Sequence, residues 1–221
     1  MEIGGIQINW LGHSGFMVKN SKIIYIDPFQ IKEDLPKADY IFLTHSHYDH
    51  CSREDIDKIL QDKTVIIAPA DCQSKVFRSE KKIHFEIVEE NQELDLNGIK
   101  VSVLPSYNMN KPFHFPGSGG VGYLIKINDV LIYHAGDTDF IPEMQRLTGY
   151  KQPGKNFIAL LPISSKFTMS HEEAALAVKL IQPTLAIPMH YGSIAGTIED
   201  ANEFVRLCEE EGFHAKILEK L

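Results

Sequence analysis

One seven-residue segment, 44–50, contains three histidines and one aspartate, and it directly follows a short apolar run. Side chains on an extended strand alternate between its two faces, so a strand that leads into this segment places His45 and His47 on the same side. Both imidazoles can then bind one metal ion, while Asp49 and His50 follow where the chain turns and can bind a second ion. Imidazole and carboxylate ligands together suit zinc, and also manganese or iron.

The apolar periodicity and the turn residues predict a chain that alternates short strands with a few helices. A serine followed three residues later by an acidic residue predicts helices that begin after Ser52 and Ser170, and Asn97-Gly98 predicts a hairpin turn. The first three strands are separated by turn-rich segments and predict an antiparallel meander. The strands are predicted over 6–10, 15–18, 23–27, 40–43, 64–69, 83–89, 93–96, 99–104, 121–127, 129–134, 156–161, 184–188 and 215–218. Further helices are predicted over 71–77, 140–147 and 198–211.

One aspartate and one further histidine follow the ends of predicted strands. The strand over 129–134 leads to Asp137, and the strand over 184–188 leads to His190. A carboxylate has two oxygens with several lone pairs, so Asp137 is suited to bridge two ions. His190 then completes the ligands of the second ion.

The longest irregular segment, residues 104–120, contains a candidate third histidine for the first ion. Segments of this length without secondary structure usually carry function. The other histidines between segment 44–50 and the strand before Asp137 are His84, which we expect to face solvent, and His134, which we expect to pack beside the site. His114 is therefore the expected ligand.

These motifs together resemble the metal-binding signature of the metallo-β-lactamase superfamily of hydrolases. The resemblance rests on His-x-His-x-Asp-His at 45–50, Tyr-Asn-x-Asn-Lys-Pro-Phe-His at 107–114, Tyr-His-Ala-Gly-Asp-Thr-Asp at 133–139 and Pro-Met-His-Tyr at 188–191. It extends over nearly the whole chain, and the chain looks most like the small hydrolases grouped with L-ascorbate-6-phosphate lactonase. The implied fold is an α/β four-layer αββα sandwich, in which two mixed β-sheets are flanked by helices and the metals lie at the shared rim.

The resemblance implies a centre with two divalent ions, zinc in the first place and manganese or iron as alternatives. It also implies that His13 lies beside the metal pocket, where we expect it to act in catalysis together with Asp49 and Asp137. Asp27 closes a predicted strand, and its carboxylate can accept the ring N–H of a ligating histidine. The predicted metal ligands are His45, His47, Asp49, His50, His114, Asp137 and His190.

The expected function is hydrolysis of an ester, a lactone or a phosphodiester by a hydroxide that bridges the metals. Formal counting of ions, carboxylates and hydroxide leaves about one positive charge in the pocket, so we expect an anionic small molecule as substrate. Lys111 and Lys166 lie in loops expected at the rim and are candidates to hold its phosphate or carboxylate.

Two other functions are compatible with the same ligand pattern. An iron-dependent oxidoreductase is the first, but His47 stands where the di-iron members of the superfamily have glutamate, and no electron-carrier domain is expected. A metal-stabilised binding module is the second, although it would make poor use of seven ligands. We therefore expect a hydrolase.

The composition narrows the class of partner. With 221 residues and 43% hydrophobic residues, the chain is expected to form one hydrolase domain over 1–221, and its formal net charge of −8 disfavours nucleic acid as the main partner.

No apolar run approaches the roughly 18 residues of a membrane helix, and the first residues do not resemble a signal peptide. The three cysteines lack a Cys-x-x-Cys spacing, so we expect a reducing cytoplasm. The oligomeric state stays open.

Overall fold

The computed structural model of the chain describes residues 1–76 and 83–221. Its first sheet has the strand order β1-β2-β3-β4-β5-β6-β7. Strands β1 to β4 pair antiparallel, which confirms the predicted meander, and β4 to β7 pair parallel. The strands are β1 (Glu2–Ile3), β2 (Ile6–Gly12), β3 (Gly15–Lys19), β4 (Ile23–Ile26), β5 (Tyr40–Phe42), β6 (Val65–Ala68) and β7 (His84–Ile87).

The second sheet has the order β13-β12-β11-β10-β9-β8 and repeats the same change of direction. Strands β8 to β11 are antiparallel, and β11 to β13 are parallel. The predicted Asn97-Gly98 turn joins its first two strands, and both residues have the positive φ angles that this tight turn needs. The strands are β8 (Glu93–Leu96), β9 (Ile99–Pro105), β10 (Val121–Ile127), β11 (Val130–His134), β12 (Asn156–Pro162) and β13 (Leu185–Met189).

Helices cover the outer face of each sheet, so the expected four-layer αββα sandwich is confirmed. Alternation along β4 shows how one strand serves two layers: Ile24 and Ile26 belong to the core between the sheets, whereas Tyr25 packs in the cluster under the first helices. The helices α1 (Arg53–Ile59) and α2 (Ala70–Val76) contribute to that cluster, and α3 (His171–Ile181) and α4 (Ile198–Glu210) pack on the second sheet.

Two helices begin at the predicted N-cap residues. Ser52 accepts a hydrogen bond from the backbone of Asp55, and Ser170 forms a reciprocal capping box with Glu173. The predicted helix over 140–147 is a 3₁₀ helix, Pro142–Leu147, and the last residue of the helix predicted over 71–77 lies outside the described residues. Within the described ranges, no helix is long and apolar enough to span a membrane.

The segment after α4 does not form the strand predicted over 215–218. It makes two isolated parallel bridges instead, from Ala215 to Ala186 on β13 and from Lys220 to Trp10 on β2. Local pattern suggested a strand, but the partners lie on different sheets, so the segment crosses between them instead of extending one.

Candidate metal centre

The segment after β5 is held against the second sheet at one rim of the sandwich. The Thr44 carbonyl accepts a hydrogen bond from the Val121 backbone at 2.9 Å, and the Tyr123 hydroxyl donates to the Leu43 carbonyl at 2.7 Å. These bonds cross from one sheet to the other. They place segment 44–50 beside the ends of β11 and β13, which carry Asp137 and His190.

Gly136 allows the close approach of the chain that precedes Asp137. Its φ is +66°, in the left-handed region that favours glycine. A Cβ atom at this position would lie 2.7 Å from the Val121 carbonyl oxygen and 2.8 Å from the Ser106 hydroxyl. The loop therefore turns Asp137 into the rim only because residue 136 has no side chain.

Three histidines form the first group of ligand-capable atoms: His45, His47 and His114. His47 Nδ1 lies 3.0 Å from His45 Nε2 and 2.9 Å from His114 Nε2. Burial lowers the pKa of both His45 and His114, which favours the neutral imidazole that a metal requires. The structure thus brings together the three residues expected for the first ion.

Four buried residues form the second group: His13, Asp49, His50 and His190. Asp49 Oδ2 lies 2.9 Å from His13 Nε2, 3.6 Å from His50 Nε2 and 4.0 Å from His190 Nε2. The His190 backbone also donates to the His13 carbonyl at 3.0 Å, which ties the two turns together. His13, expected beside the pocket, is thus a full member of this group, and burial lowers its pKa to about 4.

The carboxylate of Asp137 lies between the two groups. Its Oδ2 is 3.5 Å from His114 Nε2 and 3.1 Å from His190 Nε2, and its Oδ1 is 3.3 Å from His50 Nε2. Burial alone would raise the pKa of Asp137, but the neighbouring His190 and His50 outweigh it and hold the pKa well below its usual range. One charged carboxylate therefore reaches both histidine groups.

The donor atoms fit divalent metal ions. Asp137 Oδ1 and His50 Nε2 are buried without a hydrogen-bond partner, although buried polar atoms are normally satisfied. Each of the groups holds its donor atoms within 4.8 Å of one another. Imidazole nitrogens and carboxylate oxygens arranged in this way are the donors that zinc, manganese and iron take in proteins.

Asp27 contacts a histidine of the centre, as expected from its place at the end of β4. Its Oδ2 lies 2.7 Å from His50 Nδ1, and Thr44 donates to the same carboxylate from its backbone at 2.8 Å and its hydroxyl at 2.6 Å. Burial would lower the pKa of His50, but Asp137 and Asp27 outweigh it and raise the pKa well above its usual value. The Nδ1–H of His50 therefore donates a hydrogen bond to Asp27, and Nε2 is left facing the centre.

The other histidines lie where the sequence indicated. His134 is buried beside the centre, with Nε2 2.9 Å from the Ser14 carbonyl, and it belongs to neither group. His84 is exposed on β7.

Two supporting contacts were not anticipated. Ser193 Oγ lies 3.0 Å from His13 Nδ1, and buried Asn108 donates to the carbonyls of Phe113 at 3.0 Å and Phe167 at 2.6 Å. The contact of Ser193 with His13 spans 180 positions and that of Asn108 with Phe167 spans 59, whereas Phe113 lies in the same loop as Asn108. No local pattern could have predicted them.

The two candidate lysines differ in their contacts. Lys111 forms an ion pair with Asp139 and lies 3.6 Å from Glu173, so its charge is directed away from the centre. Lys166 is exposed, with its ammonium 4.9 Å from the centre of the Phe167 ring. Among the described residues, Lys111 is paired with carboxylates and Lys166 is not.

A cavity of about 260 Å³ opens over the centre. Its inner end is formed by metal-binding candidates, and its outer wall is formed by larger apolar side chains. It is lined by His47, Tyr48, Asp49, Phe113, His114, Asp137, Phe167, His190 and Ile194.

Comparisons with known proteins agree with this architecture. Residues 7–190 match the family described as "Beta-lactamase superfamily domain". The "UPF0173 metal-dependent hydrolase PH1671" of Pyrococcus horikoshii is 34% identical over 216 residues, which cover 93% of each chain. A crystal structure from Parabacteroides distasonis superposes with a TM-score of 0.81 at 26% identity, covering 98% of this chain and 93% of that one. The metallo hydrolase Igni18 of Ignicoccus hospitalis gives a TM-score of 0.76 at 23% identity, covering 97% and 95%.

Proposed function

This chain belongs to the β-lactamase superfamily and is a metal-dependent hydrolase; from that premise we propose that two metal ions serve it in cleaving an ester, lactone or phosphodiester bond of a small molecule. The position of Asp137 carries the proposal. Its two oxygens lie within 3.5 Å of histidines from both groups, which is the arrangement that a bridging carboxylate requires.

In this proposal the first ion is held by His45, His47 and His114, and the second by Asp49, His50 and His190. Asp137 spans the two ions. The imidazole-rich set favours zinc, with manganese or iron as alternatives. Bound ions of this kind lower the pKa of water and polarise the oxygen of the bond that is attacked.

The residues of the chain then orient the ligands and accept protons. Asp27 fixes the tautomer of His50, and His13 holds Asp49 through the 2.9 Å contact between its Nε2 and Oδ2. Asp49 lines the cavity, so its carboxylate is placed to accept a proton released during hydrolysis, whereas Asp137, which also lines it, would use both oxygens as the bridge. We assign catalytic roles to Asp49 and Asp137, and we assign His13 to positioning Asp49.

We propose that the group cleaved is anionic or becomes so during the reaction, because formal counting leaves the loaded centre with about one positive charge. Lys166 at the rim supports this preference, whereas Lys111 is engaged by Asp139. A sugar-acid phosphate lactone, the substrate type suggested by the lactonase-like resemblance, is one candidate of this class. We place the reaction in the cytoplasm and within one domain, 1–221.

An iron-dependent oxidoreductase is not favoured. The relative that matches 93% of the chain is named a hydrolase, and the first group is made of three histidines, without a glutamate. A visible-light absorption spectrum of the purified protein separates the metals, because an oxidised di-iron centre absorbs visible light and zinc does not; a zinc centre would exclude the oxidoreductase.

The test is a substrate screen combined with elemental analysis. We expect two metal ions per chain after reconstitution, and hydrolysis of at least one member of a panel of carboxylic esters and thioesters, lactones, and phosphodiesters that is lost after chelation. A stoichiometry that never exceeds one would contradict the two-metal centre. Inactivity of the fully loaded protein towards all three classes would contradict the reaction.

A further inference from the structure

We infer that the substrate carries an apolar group, an alkyl chain or an aryl ring, next to the bond that is cleaved, and that Phe113, Phe167 and Ile194 bind this group. The inference rests on the proposed hydrolase function and names the substrate class for it. It concerns the outer wall of the cavity over the metal centre.

The outer wall consists of large apolar side chains that are exposed to solvent. Tyr48 is 63% exposed, Phe113 41% and Ile194 37%, and Phe167 is half-buried. Single exposed apolar residues are ordinary on a protein surface, but a group that lines one concave site marks a binding surface. These four residues come from four different segments of the chain and converge on the same cavity.

The charges around the cavity are confined to its inner end. Asp49, Asp137 and three histidines line that end, and none of the described lysines or arginines lines the cavity. The two nearby lysines do not line the cavity: Lys111 pairs with Asp139, and the Lys166 ammonium lies 4.9 Å from the centre of the Phe167 ring, outside the lining. A substrate group that points outwards therefore meets apolar surface, which disfavours a second charged group at that position.

The wall is fixed relative to the metal ligands. Phe113 directly precedes His114, and its ring packs edge-on against Phe167 with 5.2 Å between the ring centres. Asn108 donates to the backbone carbonyls of both phenylalanines, and His114 Nδ1 lies 3.3 Å from the Phe167 carbonyl. The apolar surface is thus held in place before a substrate binds, which lowers the entropy cost of binding.

The size of the cavity limits the group that it accepts. Its volume of about 260 Å³ is below the roughly 300–1,000 Å³ typical of sites for drug-sized ligands. The volume is shared between the reacting group and the apolar group. A short alkyl chain or a single aromatic ring fits this space better than a long acyl chain.

The experiment uses the zinc-reconstituted protein with two homologous series. Binding of acetate, butanoate, hexanoate and octanoate is measured by calorimetry, and hydrolysis of γ-lactones with side chains from hydrogen to hexyl is measured as kcat/KM. We expect affinity and kcat/KM to rise about threefold per added methylene until the cavity is filled, since burial of each methylene contributes a factor of this size.

Two variants remove the wall, and a third serves as a matched control. Phe113→Ser and Ile194→Ser should each lower the ratio of hexanoate to acetate affinity by about fivefold or more, as expected when a large apolar contact is lost. Phe115→Ser changes an exposed phenylalanine of the same loop that does not line this cavity, and should keep the ratio. All three residues are exposed, so the fold should not depend on them.

The outcomes separate this inference from the proposed reaction. Affinity that is flat or falls with chain length would overturn the inference, and so would a chain-length dependence that Phe113→Ser and Ile194→Ser leave unchanged. If carboxylates bind with the expected dependence but no lactone is cleaved, the apolar site is supported. In that case only the proposal that the enzyme cleaves lactones is contradicted.

Discussion

The Nδ1 atom of His50 lies 2.7 Å from Oδ2 of Asp27, although the two residues are 23 positions apart in the chain. Asp27 directly follows β4, and His50 lies in the segment after its parallel neighbour β5. The contact is therefore a product of parallel pairing, which brings the ends of two strands to the same edge. It determines which nitrogen of His50 faces the metal centre.

Replacing Asp27 by asparagine should weaken metal binding while the fold is kept. The neutral amide no longer favours the Nδ1–H tautomer of His50, and loss of such a partner typically reduces metal affinity by about 10–100-fold. Competition with a chromogenic chelator measures the effect. Asp39→Asn is the control, because Asp39 also accepts hydrogen bonds from β4, at Ile23, but lies outside both metal groups. Equal affinity in the Asp27 variant and the parent would contradict the assigned role.

Asp137→Asn should retain the fold and lose most of the activity. Asparagine offers one neutral oxygen where a bridge between two ions needs two charged ones. We expect a loss greater than the roughly 10–100-fold that removal of an outer partner costs. Circular dichroism, elemental analysis and kcat/KM on the best substrate of the screen together test this. Turnover close to that of the parent with both ions bound would show that Asp137 does not bridge them.

Gly136→Ala should destabilise the protein more than Gly98→Ala. Both glycines have positive φ, so an alanine at either position costs about 1–2 kcal/mol in backbone conformation. Only at position 136 would the added Cβ atom also meet backbone, 2.7 Å from the Val121 carbonyl oxygen, whereas nothing lies within 4 Å at position 98. Urea denaturation gives the free energy of unfolding of each variant. Similar losses for the two variants would mean that the loop at Gly136 relaxes freely.

His134 should make the protein less stable in mild acid. Burial lowers its pKa below the ordinary value of 6.5, so below that pH the unfolded chain takes up a proton that the folded chain does not. The contribution is present above pH 6.5 and is lost as the pH falls towards the folded pKa. His134→Gln, which can still donate to Ser14, should show a smaller fall in the free energy of unfolding between neutral pH and pH 5 or so, by up to about 1–2 kcal/mol. Parallel curves for parent and variant would exclude this role.

Lys166→Ala should raise KM for an anionic substrate more than for its neutral amide analogue. The effect is expected to be about two- to fivefold, because an exposed charge contact contributes about 0–1 kcal/mol. Lys111→Ala is the comparison, since Lys111 pairs with Asp139 and should not distinguish the two substrates. Michaelis–Menten kinetics on both substrates provide the readout. An equal effect of Lys166→Ala on both would mean that Lys166 does not sense substrate charge.

Local sequence predicted much of the fold because its signals are short in range. The capping box of Ser170 with Glu173 and the turn at Asn97-Gly98 each depend on residues within a few positions, and both are present. The same local reasoning wrongly predicted a strand over 215–218. Its two bridges go to different sheets, and a local pattern does not report how distant strands are arranged.

In the candidate centre, too, local motifs could be predicted from the sequence, whereas long-range contacts could not. The motif predicted that His45 and His47 bind one ion, and the structure brings them together, but β5 ends at Phe42 and both residues lie in the bends after it, so strand alternation is not the reason. The contact of His13 with Ser193 spans 180 positions, and the pairing of Lys111 with Asp139 joins two irregular loops. Neither contact leaves a periodic pattern or a motif in the sequence, so neither could be predicted without the folded structure.

The side-chain amide of Asn108 holds the wall of the cavity through the backbone of Phe113 and Phe167. Its bonds to the carbonyls of Phe113 and Phe167 do not depend on which side chains these two positions carry. Mutation can therefore exchange either phenylalanine for a smaller, larger or polar residue while His114 stays where the metal needs it. We therefore expect substrate choice and metal retention to be separable traits, so that a lineage with this loop can acquire new substrates without first losing its metal ligands.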